Sequence, residues 1–149
     1  IEPYYIEKFG EFFKVEFEQV ESIFPKIKRV EVANIKSESD ILEFNHTIAL
    51  YKSQINIEDA ISFIIEMHSD IKCLELTTCP TKTDKMPDIS SLTKLKELDI
   101  IYTYKYLSNS ILDLKELKLL RISNNIYRYN LELLKELKQK GIKIEKIGL

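Results

Sequence analysis

A short phrase that returns at a nearly fixed spacing limits this chain more than any other feature. Leu95-Lys-Glu-Leu98-Asp-Ile100 is echoed by Leu117-Lys-Leu-Leu120-Arg-Ile122, an offset of 117 − 95 = 22. Gln139-Lys-Gly-Ile142-Lys-Ile144 is a fainter copy at 139 − 117 = 22, and Ile71-Lys-Cys-Leu74-Glu-Leu76 precedes the first at 95 − 71 = 24. Apolar residues at the first, fourth and sixth places, with a small or polar residue three further on, mark units of one strand plus one helical or turn segment. Cys79, Thr103 and Asn125 take that last place, and Ile147 takes it in the final unit. A single unit of this kind cannot bury its own apolar edge, so the expectation is a stack of units sharing one core.

Between the phrases the chain supplies turns and helices. Asn56 is placed to cap a helix with Asp59 three residues on, and Ile57, Ala60, Ile61, Ile64 and Met67 fall on one face of it. Ile48 and Leu50 alternate in a strand over residues 47–51, and residues 36–40 are polar enough for a turn. Residues 87–92 and 111–114 read as brief helical turns. Asn130 is expected to cap a last helix over residues 131–140, with Gly141 at its left-handed terminus. Upstream, Phe13, Phe17, Val20 and Phe24 fit a helical stripe, while Phe13, Val15 and Phe17 also alternate as a strand would. Pro25 stops a helix well, which favours a helix over residues 11–23.

At 149 residues the chain is long enough for one domain with a sizeable core, residues 1–24 forming an N-terminal cap and residues 25–149 the repeats. Its 22 basic and 24 acidic residues are well mixed, which argues against nucleic acid or an anionic membrane as partner. No apolar run reaches the roughly 20 residues that span a bilayer. No signal peptide is visible, and a start at Ile1 leaves room for a removed leader or an upstream domain. Cys73 and Cys79 would stand up to about 20 Å apart on extended chain, too far to bridge. Unpaired thiols point to a reducing compartment, hence a cytoplasmic location.

The phrase Pro87-Asp-Ile-Ser-Ser-Leu-Thr-Lys-Leu-Lys-Glu-Leu-Asp-Ile100 resembles the usual repeat of leucine-rich repeat proteins. Phe24-Pro-Lys-Ile-Lys-Arg-Val-Glu-Val32 is similar to the longer-helix variety found in ribonuclease-inhibitor-like repeats. The clear likeness covers residues 71–147, about half the chain; Thr103 and Ile147 depart from the usual Asn or Cys. The resemblance implies an α/β leucine-rich repeat solenoid, with a curved parallel sheet, helices and helical turns on the convex side, and ligands in the concavity. It implies no chemistry.

Alternate side chains of a strand point to opposite faces. With Leu74, Leu76 and their counterparts inside, the open face receives Cys73, Glu75 and Thr77, then Glu97, Asp99 and Ile101, then Leu119, Arg121 and Ser123, then Lys143 and Glu145. One row therefore reads Glu75, Asp99, Arg121, Lys143, acidic at one end and basic at the other. The plainer alternative is a solvated sheet in which Asp99 and Arg121 pair across adjacent strands. Tyr102, beside Ile101 and followed by Tyr104 and Tyr106, is a candidate interface anchor; the tyrosines could equally fold back over the core edge.

His46, His68, Cys73 and Cys79 match no paired zinc spacing, so no metal is expected. There is no G-x-S-x-G, no G-x-x-x-x-G-K-[ST] and no G-x-G-x-x-G, and no carboxylate pair stands out for acid–base work. The expectation is a non-enzymatic protein-interaction module without cofactor or small-molecule substrate. Its partner would dock on Glu75, Thr77, Asp99, Ile101, Tyr102, Arg121, Ser123 and Lys143. The alternative is a small regulator or inhibitor that occludes a partner enzyme; an enzyme of unknown class comes third.

Overall fold

A computed structural model describes residues 4–8, 11–15 and 31–33 as backbone, and residues 35–41 and 43–148 with their side chains. The strands are β1 Tyr4–Lys8, β2 Glu11–Val15, β3 Glu31–Ala33, β4 Thr47–Tyr51, β5 Cys73–Thr77, β6 Glu97–Ile101, β7 Leu119–Ser123 and β8 Lys143–Ile147. They form one open sheet in the order β2-β1-β3-β4-β5-β6-β7-β8. From β3 onward neighbours are parallel and follow chain order, whereas β1 runs antiparallel to both β2 and β3. The fold is α/β, with a parallel sheet and helices.

Period-two alternation explains the strands. Ile48, Leu74, Leu98, Leu120 and Ile144 stand side by side across β4–β8, and Leu50, Leu76, Ile100 and Ile122 form the next row. Both rows are buried except at Ile144, on the outermost strand. Parallel neighbours need a crossover connection, and the connections bury their apolar residues on this same face. Helix α1, Ile57–Met67, brings Ile57, Ala60, Ile61 and Ile64 into one core with the strand rows. The β5–β6 connection adds Met86, Ile89 and Leu92 to it. The short 3-10 helix Asn109–Asp113 adds Ile111. Helices α2, Asn124–Tyr127, and α3, Leu131–Gln139, add Ile126, Leu133, Leu134 and Leu137. Each such Ile, Leu or Met side chain contributes on the order of 1.5–3 kcal/mol by leaving water. Among the described residues, no helix is long and apolar enough to cross a membrane.

The strands start and stop by repeated devices. The carbonyl of His46 accepts from the N–H groups of Lys72 and Cys73; the carbonyl of Lys72 accepts from Lys96 and Glu97, and that of Lys96 from Lys118 and Leu119. At the far end, Lys52, Thr78, Tyr102 and Gly148 each follow a strand directly and have positive φ, between 51° and 84°. The N–H of Lys52 donates to the Thr77 carbonyl and that of Thr78 to the Ile101 carbonyl; that of Tyr102 donates instead to the Ser123 hydroxyl. β7 is the exception, because Asn124 turns straight into α2.

Asn56 caps α1 as its spacing predicts, accepting from the Asp59 N–H at 2.8 Å, and Gly141 has φ +89° after α3. Several expectations are corrected. Residues 11–15 are strand rather than helix, their backbone paired antiparallel with β1; residues 16–23 lie outside the described residues. Met67 is 60% exposed, since α1 ends there and the core stripe stops at Ile64. Residues 87–92 make a turn without a helix, with the Leu92 N–H donating to the Ile89 carbonyl. Asn125 is exposed, and Ile126 takes the interior place because α2 rotates the chain there. Asn130 occupies the N-cap position of α3 without a side-chain cap. Its carboxamide faces inward, accepting from Leu107 N–H and donating to the carbonyls of Lys105 and Ile126.

Candidate functional site

The face of the sheet opposite the core is built from the residues that alternate with the apolar rows. Its central row reads Ala49, Glu75, Asp99, Arg121, Glu145 across β4–β8, and the row toward the strand starts reads Thr47, Cys73, Glu97, Leu119, Lys143. Lys143 therefore stands beside Leu119, and Glu145 takes the expected place of Lys143 beside Arg121. The cause is spacing. Leu120 pairs with Ile144, an offset of 144 − 120 = 24 rather than 22, so the last strand is shifted by two residues from the simple echo. A two-residue shift leaves every side chain on its expected face while changing its neighbour.

That shift replaces a bipolar row with one cation held between carboxylates. Arg121 Nη1 lies 3.3 Å from Asp99 Oδ1, and Arg121 Nε donates to Glu145 Oε2 at 3.0 Å. Lys143 Nζ reaches Glu145 Oε1 at 3.2 Å. Burial pushes the Asp99 carboxyl up to about 6, with the Glu75 charge adding to the rise and Arg121 opposing it. Glu145 is held below the ordinary carboxylate range by its hydrogen bonds from Lys143 and Arg121. Burial raises the Cys73 thiol to about 12, helped by the charges of Glu75, Glu97 and Asp99, so at neutral pH it is a thiol and not a thiolate. Both cysteines are free.

The expected site residues divide by accessibility. Glu75, Asp99, Ile101 and Ser123 are buried, Ser123 completely, its hydroxyl taken up by the Tyr102 N–H. Thr77 and Arg121 are half-buried, while Lys143 and Tyr102 are exposed, Tyr102 at 49%. Tyr104 is not a surface anchor. It is 0% exposed and its hydroxyl donates to the Glu58 carboxylate, whereas Tyr106 stays at the surface, edge-on to Tyr129. The positive φ at Tyr102 turns the chain, so the alternation of the three tyrosines no longer reflects one face.

A hollow of about 410 Å³ opens at the strand starts, where Cys73, Glu75 and Glu97 meet His46, Thr47 and Lys72. Alternation puts Cys73 and Glu97 on this face but carries no sign of the 45–47 turn, which the hairpin contacts between Phe44 and Thr47 bring alongside. Among the described residues, no group of three or more His, Cys, Asp and Glu side chains is arranged to hold a metal ion. No protein-family model, curated protein or solved structure matches this chain.

Proposed function

We propose that the chain is a leucine-rich-repeat-like solenoid acting as a non-enzymatic protein-interaction module, its partner docking on the open sheet face. The observation that carries this reading is the in-register ladder of β4–β8. It sets outward side chains from five successive strands in rows, while every connection packs on the opposite face. Rows of this kind form a surface whose chemistry varies without disturbing the core. Accessible contacts come from Tyr102, Thr77 and Lys143, backed by the Asp99–Arg121–Glu145 chain of ion pairs. Tyr buries a large area at low entropic cost, so Tyr102 carries the largest share of the contact energy. At neutral pH Cys73 is a thiol, so it offers no ready thiolate nucleophile on this face.

The test is quantitative affinity capture from source lysate with the intact chain as bait, compared with a Tyr102→Ala/Lys143→Glu variant and an α1 variant, Glu66→Lys. A partner held by the native chain and by Glu66→Lys but lost from the double variant supports the reading. A partner retained by the double variant excludes the open face.

A further inference from the structure

Helix α3 carries a second feature, on the side of the molecule away from the open sheet face. Its core stripe is Leu133, Leu134 and Leu137, all buried. Leu131 lies outside this stripe and is 57% exposed. Leu131, Lys135 and Lys138 recur at i, i+4 and i+7, so they share one face of the helix. That face forms one wall of a groove of about 330 Å³, with the Tyr127 ring of α2 as the other wall and Leu134 at the floor.

The charge of the groove is one-sided. Lys135 and Lys138 line it, and among the described residues no carboxylate does. Lys146 of β8 joins them, its Nζ 4.4 Å from the Tyr127 ring centroid, while Lys138 Nζ lies 5.4 Å from the same centroid and 3.0 Å from the phenol oxygen. Two ammonium groups thus converge on one half-buried ring. Their hydrogen bond and charge hold the Tyr127 hydroxyl below its usual value, Lys138 first. The Leu131 side chain and the Tyr127 ring together offer an apolar contact among the lysines. Like charges around it repel one another until an anion arrives.

We propose that this groove docks an acidic segment of a partner protein. An apolar residue of the segment seats between Leu131 and the Tyr127 ring, and flanking Asp or Glu side chains pair with Lys135, Lys138 and Lys146. The mode is that of a short amphipathic segment laid against a helix, with the apolar contact giving affinity and the lysine rim giving orientation and encounter rate. The site is separate from the open sheet face and does not depend on it.

Fluorescence anisotropy with the intact chain tests this. The probe is a short labelled peptide of Asp and Glu around a central Leu-Phe pair. Two comparison peptides carry Lys at every acidic position, or Glu in place of the apolar pair. The acidic anchored peptide binds, and more weakly as salt rises. Its dissociation constant increases on the order of tenfold or more in Lys135→Glu/Lys138→Glu and by several-fold in Leu131→Ser. All three positions are exposed, and an unchanged circular dichroism spectrum verifies the fold. The lysine peptide does not bind, and Thr77→Arg on the sheet face leaves the acidic peptide's affinity unchanged. The proposal is overturned if the acidic peptide does not bind, or if it binds the double variant as well as the native chain. Equal binding of the all-acidic peptide without its anchor, which marks plain polyanion attraction, also overturns it, as does loss of binding in Thr77→Arg.

Discussion

The two faces of β4–β8 are made from the same strands and obey different physics. On the inner face, Leu74, Leu98 and Leu120 are fully buried against the connections, and each needs only to be apolar and of suitable volume. On the outer face, Glu75 and Asp99 are 7% and 8% exposed, nearly as buried, yet charged. For Asp99, burial is offset by pairing with Arg121, which Glu145 holds in turn. The inner face therefore sets the fold, while the outer face sets an electrostatic pattern that depends on register to the residue. A shift of two positions in β8 would leave the first almost untouched and rewrite the second.

The largest expected effect separates the faces directly. Leu120→Ala on the inner face should cost about 2–5 kcal/mol by leaving a cavity, read as a lowered urea midpoint. A midpoint equal to that of the native chain would remove Leu120 from the core. Arg121→Ala on the outer face should cost less, about 1–3 kcal/mol, because it strands Asp99 beside Glu75 without its cation but leaves no core cavity. If it cost more than Leu120→Ala, the outer face would be the one that holds the fold.

A smaller gain is expected at the strand ends. Thr78 is β-branched and sits at φ 52°, where an L side chain is strained. Thr78→Gly relieves a left-handed strain of about 1–2 kcal/mol against the extra entropy glycine loses on folding, for a net gain of about 0.5–1 kcal/mol. A rise in Tm checks it, and a fall would show that the Thr78 side chain supports the turn.

The subtlest effect concerns pH. Asp99 lies near 6 in the fold against an ordinary value of 3.8, so the folded state holds its proton more tightly than the unfolded chain does. Its contribution to stability is thus fullest below about pH 4 and is lost as pH rises through about 6. Asp99→Asn cannot titrate, so the native-minus-variant stability difference should fall between those limits. A difference that rises over the same range would mean that the pairing with Arg121 outweighs burial.

Much of the architecture was legible in the sequence. The L-x-x-L-x-L spacing locates β5, β6 and β7, the Asn56/Asp59 pair starts α1, and Gly141 ends α3 as its residue type demands. Cys79 lies in the core, its thiol donating to the Leu50 carbonyl. What escaped has physical reasons. Ile142 and Ile144 both satisfy the inward parity, so alternation alone cannot choose between spacings of 22 and 24 for β8. The last crossover carries two helices, and its length is set by their packing rather than by the repeat. Tyr104 resembles Tyr102 and Tyr106 in sequence, and only the left-handed turn at Tyr102 sends it inward to Glu58. Asn130 has the composition of a cap, but three backbone groups of neighbouring segments claim its carboxamide. For the site, the sequence supplied the face and missed the partners, because which carboxylate meets Arg121 depends on a two-residue choice.

That choice is the measurement on which the account turns. Methyl-selective isotope labelling followed by nuclear Overhauser spectroscopy reports which side chains are adjacent across β6, β7 and β8. Leu120 should give cross-peaks to Leu98 on one side and Ile144 on the other, placing Glu145 beside Arg121. Cross-peaks from Leu120 to Ile142 in place of Ile144 would put Lys143 beside Arg121, restore the bipolar row, and contradict the electrostatic account of the open face.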